Sequence, residues 1–255
     1  MEVTCVHWHP SEKNIVMTSS LDGTIRLWDL TGEAAFGNLI NKSVLKIKAS
    51  VGNGRNGCTS CIFAPNATRI FGGCADATIH IFLVKKLYSR ADAVLKMPDS
   101  CKSPVTALAV SACSALLATR SEGGNITLWE VGKLPGVLLK LIMGVENQYS
   151  YANVEFSPDG SLLFFGTSPL DKTPTAKSHL LFFETGQNTN KASNSSSSSS
   201  SKGSSVTPLM ASEAFMKVGV ATGASVIAVK WQANTKQLLC RYCYSHHSMY
   251  SIYAI

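Results

Sequence analysis

Apolar and polar positions along this chain alternate in short bursts separated by turn-forming residues. Thr24-Ile25-Arg26-Leu27-Trp28 switches between polar and apolar at every step, the two-residue period of a strand whose faces differ in burial. Upstream, the run Val3-Thr4-Cys5-Val6-His7-Trp8 is more continuously apolar, as a strand covered on both faces should be. Between them lies Ile15-Val16-Met17-Thr18-Ser19-Ser20, bounded by His9-Pro10 on one side and Leu21-Asp22-Gly23 on the other. Asp and Gly at such places supply the local hydrogen bonds and the backbone freedom that a tight reversal needs. The pattern predicts three short antiparallel strands joined as a meander.

The meander recurs. Thr59-Ser60-Cys61-Ile62-Phe63-Ala64-Pro65, Ile70-Phe71-Gly72-Gly73-Cys74 and Asp76-Ala77-Thr78-Ile79-His80-Ile81-Phe82 repeat it. A third copy runs through Val105-Thr106-Ala107-Leu108, Leu116-Leu117-Ala118-Thr119 and Asn125-Ile126-Thr127-Leu128-Trp129. The fourth is Val154-Glu155-Phe156, Leu162-Leu163-Phe164-Phe165-Gly166 and Leu180-Leu181-Phe182-Phe183, and a fifth starts at Ser225-Val226-Ile227 and continues to Leu238-Leu239-Cys240. The closing aromatics Trp28, Phe82, Trp129 and Phe183 are separated by 54, 47 and 54 residues. Within a unit the gap from first strand to closing aromatic is nearly constant in the first three copies. It lengthens in the fourth, where residues 168–178, with Pro169 and Pro174, intervene.

One such sheet has too little apolar surface to stand alone, so neighbours must stack. Radial stacking of four-stranded sheets makes a propeller. The expected fold is all-β, an incomplete propeller of about four blades plus a partial fifth. The blades are placed at residues 1–49, 50–98, 99–143, 144–219 and 220–240. Residues 187–208, which contain the serine run 195–201, offer no apolar face and are expected to form a flexible insertion within the fourth blade. Residues 241–255 are expected to depart from the repeat, with no turn and no third strand, as in a piece of a longer protein or a truncated product.

Composition narrows the function classes. The 255 residues suffice for one large all-β domain. No signal-peptide pattern opens the chain, and no apolar run approaches the roughly 20 residues of a membrane span, so the reading is soluble and intracellular, with no membrane partner. Eight cysteines in such a chain fit a reducing compartment, where they act as small buried hydrophobes. The net charge of +7 is scattered, its one dense spot being Lys85-Lys86 with Arg90. It supports, as the alternative function, weak binding of nucleic acid or other polyanions.

Chemistry is sought at several motifs and assigned at none. Gly52-Asn53-Gly54-Arg55-Asn56-Gly57 has a phosphate-loop spacing, but it leads into a strand where a dinucleotide site needs a helix. Cys58 and Cys61 fall within one strand, where odd spacing sends side chains to opposite faces. Cys240 and Cys243, with His246 and His247, lie in the departing tail. His7 and His9 share a strand face without a third ligand, and no nucleophile elbow or metalloprotease motif appears. No cofactor, metal or small-molecule substrate is therefore expected, and the chain is read as non-enzymatic. Asp22 and Asp76 are assigned to the repeat's turn, and Trp28 and Trp129 to its core. Candidate partner-binding residues on the rim are Arg55, Lys102 and Arg120. For Arg120 two readings stand: a cation meeting a partner's carboxylate or phosphate, or one paired within the chain, with Glu122 or a neighbouring blade's Asp.

Trp28-Asp29 after Asp22-Gly23-Thr24-Ile25 resembles the signature of the WD40-repeat family. Of that family's Asp–His–Ser/Thr–Trp hydrogen-bonding set, Asp22, Thr18 and Trp28 match three positions. Asp76 keeps one, with Gly72 and Phe82 replacing two, and Thr119 and Trp129 keep two. Units two to five are similar to the gastrulation-defective subfamily (the WD-repeat-containing protein seventy group). The residues that carry this are Leu117-Ala118-Thr119-Arg120-Ser121, Phe156-Ser157-Pro158-Asp159-Gly160, Gly166-Thr167-Ser168, Leu180-Leu181-Phe182-Phe183-Glu184 and Ala224-Ser225-Val226. The resemblance implies a scaffold for protein–protein interaction in the nucleus, linked to ubiquitin-ligase assembly and the DNA-damage response. Propellers that serve cullin-4 ligases often carry an Arg two residues after Trp-Asp; here Thr31 and Gly132 stand there, so that partnership does not carry over.

Overall fold

Each turn of the repeated unit brings its own hydrogen-bonding partners, so the meander closes locally. Asp22 Oδ1 accepts from the Thr24 amide at 2.9 Å and the Thr24 hydroxyl at 2.6 Å. Asp76 does the same for Thr78 at 3.1 and 2.5 Å. Asn66 and Asp159 repeat the device toward Thr68 and Ser161 at the preceding turn of their units. Side chains that mimic a backbone turn in this way favour a reversal over a continued strand.

A computed structural model describes residues 2–30, 40–46, 56–86, 90–169, 173, 175–186, 206–232, 237–244 and 247–254. Blade one holds β1 (Val3–Trp8), β2 (Ile15–Ser20), β3 (Thr24–Asp29) and β4 (Ile40–Lys46), and blade two β5 (Cys58–Phe63), β6 (Arg69–Cys74), β7 (Thr78–Leu83) and β8 (Ala93–Lys96). Blade three holds β9 (Val105–Val110), β10 (Leu116–Ser121), β11 (Ile126–Glu130) and β12 (Val137–Met143). Blade four holds β13 (Val154–Phe156), β14 (Leu162–Gly166) and β15 (Lys177–Glu184), then β17 (Met216–Thr222) as its outer strand. The short β16 (Leu209–Met210), which precedes β17 in the chain, adds in parallel to the free edge of β12 in blade three. Blade five holds β18 (Ser225–Gln232), β19 (Gln237–Tyr244) and β20 (His247–Ala254).

That last sheet corrects one expectation. The chain beyond residue 240 does not leave the repeat: β19 runs on to Tyr244 and β20 pairs with it antiparallel from Tyr244↔His247 to Gln237↔Ala254. Tyr242 is 2% exposed, and its hydroxyl donates to Tyr253 at 2.6 Å, whose own hydroxyl reaches the Val220 carbonyl of blade four. A third strand built of Tyr, Ser and Met lacks the Asp-Gly turn and Trp-Asp ending of blade one, but it pairs along its whole length as the other third strands do.

The register is the same in every copy. Trp28 stands opposite Val16, Phe82 opposite Ile70, Trp129 opposite Leu117 and Phe183 opposite Leu163. In blades one, two, three and five the ladder between first and second strands slips by one residue at the same place, Val3/Cys5, Cys58/Ser60, Val105/Ala107 and Val226/Ala228. These β-bulges increase the local twist and re-aim the side chains beside them.

The core lies between sheets. Met17, Ile25 and Leu27 of blade one meet Phe63, Ile70 and Phe82 of blade two, and Ile79, Ile81 and Leu95 of blade two meet Leu117 and Trp129 of blade three. Leu116, Ala118 and Leu128 then meet Leu163, Phe165 and Phe183, and Phe164, Leu180 and Phe182 meet Val229, Leu238 and Tyr242. At the first three of these joints the face carrying the closing aromatic thus packs on the opposite face of the preceding blade. Among the described residues no other blade covers that face of blade one, where Val6 is 60% and Trp8 57% exposed. The opposite face of blade five shows Tyr250 and Ile252, 61% and 63% exposed.

Candidate interaction surface

The inner strands are tied to one another by hydrogen bonds at the bulge. The Thr4 hydroxyl donates to the Cys58 carbonyl at 2.7 Å, and that of Thr59 to the Val105 carbonyl at 2.6 Å. Facing each bulge on the second strand is one register position, occupied by Ser19, Gly73, Arg120 and Arg241 in blades one, two, three and five. Small residues let the next blade approach: a Cβ at Gly73 would lie 2.9 Å from the Val105 carbonyl oxygen. Gly166 of blade four is as tightly held, its missing Cβ falling 2.3 Å from a Val226 methyl and 2.8 Å from the Val226 carbonyl oxygen.

Arg120 is not a rim residue. It is 1% exposed, and its Nη1 donates to the carbonyls of Asn153 and Gly166, both at 3.0 Å, while Nη2 donates to Asn147 Oδ1 at 3.1 Å. The β13–β14 ladder of blade four ends at Val154↔Phe165, so these two carbonyls stand just past its last pair. The guanidinium joins them where a strand would have continued. Its planar fork suits two acceptors better than an ammonium would, and its plane lies over the Phe165 ring at 6.0 Å. Burial lowers its pKa to about 10, so it remains charged at neutral pH. The partner-facing reading is overturned, and the intramolecular one holds with carbonyls in place of a carboxylate. Asn153 continues the tie: its side chain exchanges two 2.8 Å hydrogen bonds with the Val229 backbone of blade five, and Glu155 pairs with Lys230 at 2.8 Å.

The repeat's polar residues are turn and joint fixtures. Trp28 Nε1 donates to Thr18 Oγ1 at 2.9 Å. Trp129 reaches Thr119 through one intermediary, Trp129 Nε1 to Thr127 Oγ1 at 2.7 Å and Thr127 to Thr119 at 2.6 Å. Trp129 is 6% exposed, whereas Trp28, placed by sequence in the core, is only half-buried because no blade among the described residues covers its face. Asp22 also pairs with Arg26 at 3.2 Å.

On the rim, Lys102 is exposed and pairs with Asp99 at 2.8 Å, and Arg55 lies outside the described residues. The loop joining blades three and four presents a feature that sequence reasoning missed. Tyr151 is 60% exposed and its ring centroid lies 5.4 Å from that of Tyr149. The Cys243 side chain of blade five, then burial, raises the Tyr149 pKa to about 12, so the hydroxyl stays protonated. The spacing Tyr149-Ser150-Tyr151 was the only available signal, and nothing in the repeat pattern marks it.

His7 and His9 pack on Phe63 of blade two at 6.1 and 4.9 Å between ring centroids, and His9 Nδ1 accepts from the Glu12 amide at 2.9 Å. Cys58 and Cys61 do not diverge as their odd spacing implies. The bulge at Cys58/Ser60 takes up one residue, and both thiols enter the core shared with blade one, 0% and 3% exposed. Cys240 is buried and Cys243 half-buried on β19, while His246 lies outside the described residues. Among the described residues no three His, Cys, Asp or Glu side chains are placed to hold a metal ion, and no helix is long and apolar enough to cross a membrane.

Stacked four-stranded meanders with these turns and this register define a β-propeller of the WD40-repeat kind. Residues 1–29 match the family described as WD domain, G-beta repeat, and so carry a WD40 repeat. The chain is 30% identical over 184 residues to WD repeat-containing protein 70 of Xenopus tropicalis, covering 70% of this chain and 27% of that protein. It is 29% identical over 186 residues to the gastrulation defective protein 1 homolog of Drosophila melanogaster, covering 72% and 27%. The chain thus spans about a quarter of the length of these relatives. The β-propeller domain of Cps50 (Swd1) from Myceliophteria thermophila superposes with a TM-score of 0.68 at 12% identity, covering 99% of this chain and 70% of that one. A WD40 propeller is typically a protein-interaction scaffold, which is the coarse function of this fold.

Proposed function

We propose that the chain is a non-enzymatic scaffold that docks protein partners on the rim formed by the loops before each first strand and between second and third strands. The observation that carries this reading is the Tyr149–Tyr151 pair, held at the junction of blades four and five with one ring largely in solvent. Aromatic side chains with a polar end, fixed by neighbours, concentrate binding energy at protein interfaces. Lys102 and the Asp99 beside it supply a polar margin on the loop one blade earlier. The similarity to the gastrulation-defective group supports a place in a nuclear complex, in ubiquitin-ligase assembly or the DNA-damage response.

The test is affinity capture of the chain from nuclear extract, with the proteins it retains re-measured against Tyr151→Ala. A stoichiometric partner lost at least about tenfold in affinity, equivalent to roughly 1.4 kcal/mol, is the expected result. Retention of the same partner at unchanged affinity overturns the assignment of this rim. The second reading, polyanion binding, rests on the net charge of +7 and on exposed Lys85, Lys86 and Arg90. It predicts affinity for any duplex that falls steeply with salt and ignores the Tyr151 substitution.

A further inference from the structure

Four thiols converge where blades one and two meet. Cys5 sits at the bulge of β1, Cys58 opens β5, Cys61 follows on the same strand, and Cys74 ends β6 directly opposite Cys58. All four are free thiols. Three are sealed in the joint, at 0%, 3% and 0% exposed for Cys58, Cys61 and Cys74, whereas Cys5 is open in part to solvent. Cys5 Sγ lies 3.5 Å from the Cys61 carbonyl oxygen, and Cys5 packs against the apolar cluster that holds Cys61.

We propose that Cys5 and Cys61 are an oxidant-responsive pair that closes to a disulfide between blade one and blade two. The division of labour follows from their surroundings. The neighbouring Cys61 side chain, opposed by burial, brings the Cys5 pKa down to about 6. Cys61 is pushed well above the usual thiol range by the Cys5 side chain beside it and by burial. Cys5 is therefore the thiolate and the one that solutes reach, the combination that selects a reactive cysteine. Cys58 and Cys74 face one another, but burial holds both as thiols, Cys74 at about 12, and neither is accessible.

With a peroxide as oxidant the chemistry closes. The Cys5 thiolate attacks one oxygen of hydrogen peroxide, and the O–O bond breaks. Cys5 becomes a sulfenic acid, and the departing hydroxide takes a proton to form water. The Cys61 sulfur then attacks Cys5 Sγ, the S–S bond forms as the S–OH bond breaks, and the thiol proton leaves with that hydroxide as a second water. Two thiols have given up two electrons and the peroxide has been reduced to two waters. The link joins residues 56 apart in sequence and pins β1, the inner strand beside the uncovered face of blade one, to β5.

The full chain is treated with hydrogen peroxide, alkylated, digested with trypsin without reduction and mapped by mass spectrometry. The expected product joins the peptide of residues 1–13 to that of residues 56–69. It shows a loss of about 2 Da for the two hydrogens, with fragmentation placing the bond on Cys61 and not on Cys58. Amide exchange in β1 slows at least tenfold in the linked form. Cys61→Ser leaves Cys5 as a sulfenic acid trapped by dimedone. Should that buried substitution disturb folding, Cys5→Ser serves in its place and leaves Cys61 reduced after the same treatment. A bond between Cys58 and Cys74, or a Cys5 that still alkylates fully after peroxide while exposed Cys113 is oxidised, overturns the pairing.

Discussion

Blades one and three are built on one plan and live in different surroundings. Each has a second-strand Thr, a closing Trp and a bulge at the start of its first strand. Blade three is covered on both faces, and Trp129 is buried against blade two with its indole N–H relayed through Thr127 to Thr119. Among the described residues blade one is covered on one face, and Trp28, bonded directly to its second-strand Thr18 at 2.9 Å, looks outward. The signature residues are thus equal in sequence and unequal in energy, because a side chain contributes through the apolar surface its neighbours remove from water. The signature marks a place in the unit, and burial depends on which blade comes before.

The sharpest way to break this comparison is to truncate both indoles. Trp129→Ala should cost about 3–5 kcal/mol, as a large cavity in a packed core does. Trp28→Ala should cost only about 1–2 kcal/mol, from partial burial and one hydrogen bond; equal losses in urea denaturation would show that the two faces are equally covered. Arg120→Ala is next. It strands two buried carbonyls and empties a large site, so a loss of about 2–4 kcal/mol is expected, against under about 1 kcal/mol for Ser19→Ala at the same register position. A small effect of Arg120→Ala on the denaturation midpoint would return that side chain to the rim.

Acid gives the gentlest contrast. Hydrogen bonds from Thr24 and Ser20 and the charge of Arg26, outweighing burial, hold the Asp22 pKa below the ordinary carboxylate value. A depressed carboxylate contributes stability that is present above its unfolded pKa and is lost as pH falls through the folded one. The matching turn of blade three is closed by Ser121 and Asn125, without a carboxylate. Below about pH 4, amide exchange should therefore quicken in β2 and β3 before it does in β10 and β11, and Asp22→Asn should flatten the difference. Exchange that rises together in both blades would remove Asp22 as its cause.

The fold was legible because its unit is repeated: turn residues, strand period and closing aromatics all agreed on one meander. Blade five shows where that reading stops. Its last strand has the pleat and the packing without the signature, and only the ladder to β19 reveals it. The surface was harder. Arg120 occupies a position held by Ser19 and Gly73 in blades one and two, and the sequence cannot show that blade four's inner ladder ends early and leaves two carbonyls to be met. Bulges were equally silent. One of them reverses the expected divergence of Cys58 and Cys61, because a single unpaired residue changes which face every later side chain takes.

The parallel addition of β16 to β12 has a mechanical meaning. The chain leaves blade four after β15, lays Leu209 and Met210 along the edge of blade three, and only then returns as β17. Val206 is tucked against the core between blades two and three, and Lys140 of β12 donates to the Glu184 carbonyl. Blade four's outer strand is thus reached by a path stitched to its neighbour. Prising blades three and four apart would first have to unpick that stitch, so these two blades should open as a single unit while blade one, outside the seam, frays independently.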